Sequence, residues 1–179
     1  MDKKLLQSSL VIAITGPAGS GKSTVATMLS KTIEQCVNID ADYVKHFIVN
    51  GFVYGESSEG TKQWQLLGEN LGMIARNFQQ AGYNVIINGY INEPAWSALT
   101  KHIVLTHKLL LLPSLEEIIT RDKLRHADFV MGKAVVEEHN RYFSTSSYYD
   151  DFEKIDSSKL SAEQTANQIL AKLEDNEAL

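Results

Sequence analysis

The amino-acid sequence predicts an α/β fold in which helices cover both faces of a five-stranded parallel sheet. Short apolar runs alternate with longer segments whose apolar residues recur at helical spacing. Alternating strands and helices form parallel sheets through right-handed crossovers. The length of 179 residues suits one domain, since domains typically hold about 100–200 residues. We therefore expect a single domain over residues 1–179, with ligands at the carboxyl ends of its strands.

The first half of the chain predicts three strands and three helices. In order, these are a strand at 10–14, a helix at 22–34, a strand at 36–39, a short helix at 43–49, a long helix at 61–80 and a strand at 83–87. The segment 52–60 is rich in glycine and serine and predicts a loop. Gly82 is expected to end the long helix, because glycine is common just after a helix C-terminus.

The second half predicts two further strands and three helices. These are a strand at 109–112, a helix beginning after Ser114, a helix at 134–143, a strand at 152–155 and a closing helix at 160–173. Ser114 is followed three residues later by Glu117, which is the pattern of a capping box. The apolar rhythm is broken over 126–133, and 144–151 has the composition of a loop.

A complete phosphate-binding pattern, G-x-x-x-x-G-K-S, lies between the first predicted strand and helix. It consists of Gly16, Pro17, Ala18, Gly19, Ser20, Gly21, Lys22, Ser23 and the adjoining Thr24. In this context the small residues let backbone N–H groups turn inward, and the helix that follows aims its positive dipole end at the same anion. Lys22 can reach the β- and γ-phosphates, and the Ser23 hydroxyl can ligate Mg²⁺. The pattern therefore predicts binding of a nucleoside triphosphate, with ATP and Mg²⁺ as cofactors.

Two carboxylates, Asp40 and Asp42, follow the second predicted strand. In an extended segment, residues two apart point to the same side, so both would face the cleft that holds the γ-phosphate. One carboxylate can hold the water shell of Mg²⁺, while its neighbour accepts a proton from an attacking hydroxyl. Alternatively, Asp42 caps the short helix that follows. The two interpretations are compatible with each other.

The sequence resembles the small P-loop kinases with a nucleoside-monophosphate-kinase-like fold. This group includes gluconate kinases, shikimate kinases and chloramphenicol phosphotransferases. The resemblance rests on the blocks 14–24, 39–42 and 121–125, and on the tail 155–161, which resembles the adenine-side loop and final helix of the group. It implies a three-layer P-loop NTPase fold with a small helical lid over roughly 121–143.

The resemblance also implies roles for individual residues. Asp40 would support Mg²⁺, and Asp42 would be the general base or would orient the substrate. Arg121 and Arg125, four apart on one helical face, would belong to the lid and neutralise the transferring phosphoryl group, as arginine fingers do. In the alternative interpretation, these arginines lie at an exposed helix end and pair with Glu117 and Asp122.

Some features depart from the pattern of this group. Asn88 ends the third predicted strand, where many P-loop proteins carry an acid. Its amide oxygen can accept a hydrogen bond from a metal-bound water but supplies no charge. The glycine triplet of shikimate kinases is missing at this point, and the lid does not match that of gluconate kinases.

The middle of the chain should form the acceptor pocket. The residues expected to contact the acceptor are His46, Tyr54, Asn88 and Tyr90, and the wider set of candidates adds Phe52, Glu56, Trp64 and Asn92. Trp64 lies on the apolar stripe of the long helix and is expected in the core. Glu137, Glu138 and His139 have the pattern of a solvated helix face.

These observations predict an ATP-dependent phosphotransferase that acts on a hydroxyl group of a sugar acid, metabolite or antibiotic. The alternatives are a nucleoside or nucleotide kinase, and a nucleotide-dependent switch that a partner protein reads. The formal charge of −5 argues against a general nucleic-acid binder. The single cysteine, Cys36, excludes an internal disulfide.

The N-terminal apolar stretch is too short for a signal peptide, and no run reaches the roughly 18 apolar residues needed for a bilayer span. We therefore expect a cytoplasmic monomer or homodimer with no membrane association.

Overall fold

Five strands form one all-parallel sheet in the computed structural model, which describes residues 9–53 and 57–177. The strands are β1 (Val11–Thr15), β2 (Cys36–Asp40), β3 (Asn84–Asn88), β4 (His107–Leu111) and β5 (Glu153–Ile155). Their order across the sheet is β2-β3-β1-β4-β5. This is the predicted three-layer P-loop fold, and all five predicted strands are confirmed.

Seven α-helices accompany the sheet in the described part of the chain. They are α1 (Lys22–Thr32), α2 (Ala41–Lys45), α3 (Ser58–Gln80), α4 (Glu93–Leu99), α5 (Leu115–Lys123), α6 (Lys133–Thr145) and α7 (Ala162–Glu177). The glycine predicted to end α3 has a left-handed φ of 89° at Gly82, directly after the C-cap Ala81. None of the helices described here is both long and apolar enough to cross a bilayer.

The structure differs from the predicted helices in two respects. The short helix predicted over 43–49 lies instead at Ala41–Lys45, because the Asp40 side chain accepts a hydrogen bond from the amide of Asp42 and starts the helix earlier. Helix α4 was not predicted. It has only seven residues, so its apolar positions do not repeat often enough to show a period, although the Asn92 side chain caps it through the amide of Ala95.

The sheet buries a hydrophobic cluster on each face. Alternate residues of β1 point to opposite sides: Val11 and Ala13 contribute to one cluster, and Ile12 and Ile14 contribute to the other. Helices α3 and α4 cover the first face, and α1 and α7 cover the second. All five residues of β1 are buried, as expected for the central strand of a covered parallel sheet.

Helices α3 and α4 approach each other closely at two glycines of α3. A Cβ atom on Gly68 would lie 1.9 Å from the backbone oxygen of Ala95. One on Gly72 would lie 2.6 Å from the backbone oxygen of Leu99. The absence of side chains at these two positions lets the backbones of the helices pack together. This contact holds α3 against α4, and the N-terminal half of α3 lines a cavity described below.

Replacing Gly68 by alanine should destabilise the protein. The added methyl group meets backbone atoms that cannot move without shifting α4, and overpacking of this kind costs about 1–3 kcal/mol. We expect urea denaturation to give a free energy of unfolding lower by that amount. The matched control is Glu69→Ala on the exposed face of α3, which should change it by no more than about 0.5 kcal/mol. Equal effects of the two substitutions would contradict the packing argument.

Candidate active site

The loop between β1 and α1 is shaped by close backbone contacts. Gly16 has a φ of 145°, and a Cβ atom at this position would lie 2.2 Å from the backbone oxygen of Leu111 at the end of β4. Only glycine allows the loop to pass this close to the neighbouring strand. Gly21 has a φ of 94° and is the N-cap of α1. The helix N-terminus therefore faces the space that the loop encloses, as anion binding requires.

The Lys22 ammonium group lies within this loop. Its Nζ donates a hydrogen bond to the backbone oxygen of Pro17 at 2.8 Å and lies 3.5 Å from the Oγ atom of Ser20. Burial lowers the pKa of Lys22 to about 8, and the nearby positive charge of Arg125 also lowers it, whereas Asp42 and Asp40 raise it. The lysine therefore faces both predicted carboxylates.

Asp40 and Asp42 are held together by the start of α2. Asp40 ends β2, and its Oδ1 accepts a hydrogen bond from the amide of Asp42 at 2.9 Å. The capping role considered for Asp42 therefore belongs to Asp40, and Asp42 lies in the first helical turn rather than in an extended segment. Burial raises the pKa of Asp40, while hydrogen bonds from the Asp42 amide and the Ser23 hydroxyl lower it.

Ser23 and Asp40 supply the oxygen atoms that suit Mg²⁺. The Ser23 hydroxyl lies close enough to the Asp40 carboxylate to lower the pKa of that carboxylate, so the two predicted metal ligands are near each other. In the described part of the chain, no group of three or more His, Cys, Asp or Glu residues could hold a metal. Mg²⁺ usually keeps several waters and takes its other ligands from one or two carboxylates and substrate phosphates. The two residues therefore fit Mg²⁺ that arrives with a nucleotide.

The four predicted catalytic residues line one cleft of about 400 Å³. They are Lys22, Asp42, Arg121 and Arg125, and residues of the phosphate loop and Tyr90 line the same cleft. The cleft lies at the carboxyl ends of β1 and β2, where ligands bind in parallel sheets. The structure thus brings a phosphate loop, a carboxylate and two guanidinium groups to one place.

Arg121 and Arg125 both line the cleft, but only Arg121 belongs to a helix. Arg121 lies within α5, where its Nε is 2.8 Å from a carboxylate oxygen of Glu117. Arg125 lies beyond the C-cap of α5, so the prediction of one shared helical face was wrong. One of its nitrogens is 3.5 Å from Asp122. Both arginines therefore make the ion pairs of the alternative interpretation and also line the cleft.

Arg121 also borders a second cavity, of about 340 Å³, between α1, α5 and the start of α7. Its guanidinium donates a hydrogen bond to the backbone oxygen of Ser157 at 2.8 Å. Thr24, Leu160 and Thr165 line the same cavity. The predicted adenine-side segment 155–161 thus lies next to the phosphate loop, and Arg121 connects the two cavities.

Asp122 ties the start of α6 to α5. Its carboxylate is buried and accepts hydrogen bonds from the amides of Met131 and Gly132 at 3.1 and 2.9 Å. The predicted lid segment therefore returns to the domain at a defined point. From there, α6 passes the cleft and brings His139 to its wall.

The predicted substrate residues occupy different places. Tyr90 lines the cleft. Asn88 is buried at the end of β3, where its Nδ2 donates to Asn38 at 2.8 Å, and its Oδ1 is buried without a hydrogen-bond partner among the described residues. His46 is exposed, its Nδ1 lies 2.6 Å from the backbone oxygen of Asp42, and it does not line the cleft. Tyr54 lies outside the described residues.

The wider set of candidates is also divided. Phe52 and Trp64 line a neighbouring cavity between α2 and α3. Trp64 is half-buried at the edge of the core rather than inside it. Asn92 caps α4, and Glu56 lies outside the described residues.

The prediction of a solvated face at His139 was wrong. Its ring lies 4.5 Å from the ring of Tyr90, and its buried Nδ1 has no hydrogen-bond partner among the described residues. Burial lowers the pKa of His139; Lys22 and Lys45 lower it further, whereas Glu138 and Asp42 raise it. The spacing of His139 from Val136 and Phe143, both buried, could have revealed this inward face.

The chain belongs to the family AAA_33, described as an AAA domain, whose sequence profile matches residues 11–145. This range contains the phosphate loop, both carboxylates and most of α6. A search of curated protein sequences gives no match.

Solved structures with a similar fold include several kinases. The chain is 17% identical to a sugar kinase from Janibacter sp. HTCC2649, with a TM-score of 0.72 over 93% of this chain and 95% of that one. A tunicamycin resistance protein from Deinococcus radiodurans is 21% identical, with a TM-score of 0.68 over 92% and 95%. A shikimate kinase from Acinetobacter baumannii is 18% identical, with a TM-score of 0.61 over 94% and 96%. The fold of this chain is therefore that of P-loop kinases.

Nucleotide affinity should fall as the pH rises through the pKa of Lys22. That pKa is about 8, so the charged fraction of Lys22 falls about tenfold between pH 7 and 9, and the apparent affinity for Mg-ADP falls with it. Isothermal titration calorimetry should also show proton uptake on binding at pH 8.5. Lys22→Arg, whose side chain stays charged, should lose this pH dependence. A pH-independent affinity of the unmodified protein would contradict the assignment.

Removing the Asp122 carboxylate should loosen the start of α6. Each hydrogen bond to a charged acceptor contributes about 1.5–3 kcal/mol, so in Asp122→Ala the amides of Met131 and Gly132 should exchange hydrogen at least about tenfold faster. The control is Asp128→Ala, whose side chain is 80% exposed. Unchanged protection of these two amides in Asp122→Ala would show that the carboxylate does not hold the segment.

Proposed function

We propose that this protein is an ATP-dependent phosphotransferase that moves the γ-phosphate of ATP to a hydroxyl group of a small molecule, with Mg²⁺. The observation that carries the proposal is the presence of Asp42 and Lys22 in one cleft. A carboxylate opposite the phosphate-binding lysine gives an alcohol a place to bind and to lose its proton. Nucleotide binding alone would require only the loop.

Different residues of the cleft would bind the phosphates, hold Mg²⁺ and neutralise the charge on the transferring phosphoryl group. The amides of the phosphate loop and Lys22 would hold the β- and γ-phosphates. Arg121 and Arg125, which reach the same cleft, would neutralise charge that develops on the transferring group. Ser23 and Asp40 would hold Mg²⁺, which neutralises phosphate charge when bound.

In the transfer itself, the acceptor oxygen would attack the γ-phosphorus. A new oxygen–phosphorus bond forms, the bond from the γ-phosphorus to the bridging oxygen breaks, and ADP leaves. Asp42 would accept the proton that the hydroxyl loses. It is exposed at the first turn of α2, so its carboxylate can take up a proton and release it to solvent.

The alternatives predict different surroundings for this cleft. A nucleotide kinase needs cations for the phosphate of its acceptor, and Lys45 is the sole lysine or arginine among the described residues that line the neighbouring cavity between α2 and α3. A nucleotide switch usually carries an acid at the end of β3, where this chain has Asn88. The proposed enzyme would act in the cytoplasm, where ATP and Mg²⁺ are abundant, as a monomer or homodimer.

The test is acceptor-stimulated release of ADP, followed by substitution of Asp42. In a screen of hydroxylated compounds that includes sugars, shikimate, nucleosides and antibiotics, at least one should raise ADP release above the basal rate. Asp42→Asn should then lower kcat by about 10²–10⁴-fold, the usual contribution of a general base, with the affinity for Mg-ADP nearly unchanged.

Asp150→Asn is the matched control for this experiment. Asp150 is exposed, precedes β5 and pairs with Lys154, so the control should keep full activity. Activity that survives in Asp42→Asn would rule out its role as the base. The absence of stimulation by any acceptor, with normal nucleotide binding, would reject the phosphotransferase.

A further inference from the structure

A small apolar cavity lies beside the phosphate cleft, between α2 and α3. Its volume is about 170 Å³. Its apolar lining includes the side chains of Val44, Phe47, Ile48, Phe52, Trp64 and Leu66. Lys45 is the sole ionisable residue among the described residues of its lining. A cavity with this lining favours an apolar group over a charged or heavily hydroxylated one.

The side-chain amide of Gln63, which also lines the cavity, hydrogen-bonds to the backbone of the loop before α3. Its Oε1 accepts a hydrogen bond from the amide of Val53 at 3.0 Å, and its Nε2 donates one to the backbone oxygen of Gly51 at 2.8 Å. Recruiting this amide for a ligand would break contacts that shape the cavity. The other polar side chains of the wall are those of Lys45 and Asn70, and the remaining side chains are apolar apart from Gly60, which has none.

The cavity adjoins the phosphate cleft at Lys45, which lines both. The Lys45 ammonium lies 3.9 Å from the centroid of the Trp64 ring and 5.2 Å from that of Phe52. Trp64 is in turn 5.7 Å from Tyr90, which lines the cleft with Asp42. One ligand could thus place a polar end beside Asp42 and an apolar end against Trp64.

The size of the cavity limits the apolar end. An enclosed cavity of about 150 Å³ lined by aliphatic and aromatic residues accommodates benzene. This cavity has a similar volume but is open to solvent on the side where Phe47 and Leu66 are exposed. It suits a phenyl ring or a branched aliphatic group of that volume. A sugar ring placed against the apolar side chains would lose hydrogen bonds to water that these side chains cannot replace, which disfavours its binding.

We propose that the acceptor of this protein is an alcohol that carries a compact aromatic or branched aliphatic group. The hydroxyl would lie at Asp42, and the apolar group would fill the cavity between α2 and α3. This inference rests on the proposed phosphotransfer and specifies its substrate class. Transfer to the alcohol forms a phosphate monoester and ADP, with the hydroxyl proton passing to Asp42.

The first experiment compares alcohols that differ in their apolar part. Benzyl alcohol, 2-phenylethanol, 3-phenylpropanol and 4-phenylbutanol are tested as acceptors against glycerol, glucose and shikimate, by ADP release and detection of the monoester. We expect turnover with the phenylalkanols and a minimum of KM at one chain length, because the spacing between ring and hydroxyl must match that between cavity and Asp42. Turnover with the polyols alone would overturn the inference and leave the phosphotransfer intact.

The second experiment changes the cavity without changing the catalytic residues. Leu66→Gln adds a polar group to its wall, and the matched control is Met73→Gln on the same helix. Both side chains are 47% exposed, but only Leu66 lines the cavity. Leu66→Gln should raise KM for the best phenylalkanol by about tenfold, the effect of a small change in an apolar pocket. Both variants should retain kcat and the affinity for Mg-ADP.

Direct binding separates a failure of this inference from a failure of the proposed function. The fluorescence of Trp64 should change when 3-phenylpropanol is added in the presence of Mg-ADP, and the change should be lost in Trp64→Phe. A fluorescence response without turnover of any alcohol or polyol tested would reject the phosphotransfer and keep the apolar site. The absence of both binding and turnover with all four phenylalkanols, or equal KM values in Leu66→Gln and Met73→Gln, would overturn the inference.

Discussion

The site depends on a positive charge buried inside a backbone loop. Removing the Lys22 ammonium from water is unfavourable, and its lowered pKa expresses this. It is tolerated because the Pro17 oxygen accepts a hydrogen bond from it and because Asp40 and Asp42 supply compensating charge. A bound triphosphate would provide a stronger partner for the same group. The loop thus holds a cation that is poorly solvated until an anion arrives.

The order of the strands explains why these groups meet. Strand β3 lies between β1 and β2, and its last residue, Asn88, is in register with Ile14 on one side and Asp40 on the other. Asn88 is neutral and donates to Asn38 of β2. The negative charge of this edge therefore comes from β2 and from the start of α2. Further from the loop, the same α2 forms one wall of the apolar cavity, so one helix borders both the catalytic cleft and the region proposed to select the acceptor.

Much of this arrangement could be predicted from the sequence, because the strong signals are local. The spacing of Gly16, Gly21 and Lys22 fixes the loop, short apolar runs reveal the five strands, and apolar periodicity reveals the longer helices. Other features depend on contacts distant in sequence. The seven residues of α4 are too few to show a helical period. The two glycines against which α4 packs, Gly68 and Gly72, belong to α3. Similarly, His139 resembles a surface residue until Tyr90 is placed beside it, and the capping role of Asp40 depends on where α2 begins.

A crystal structure with a non-hydrolysable ATP analogue and Mg²⁺ would test the central claim most directly. We expect the triphosphate to lie in the loop over residues 16–24, with the Lys22 ammonium on its β- and γ-phosphates, Mg²⁺ at Ser23 and Asp40, and the Asp42 carboxylate facing the γ-phosphorus. A triphosphate bound elsewhere, or a γ-phosphate remote from Asp42, would contradict the account.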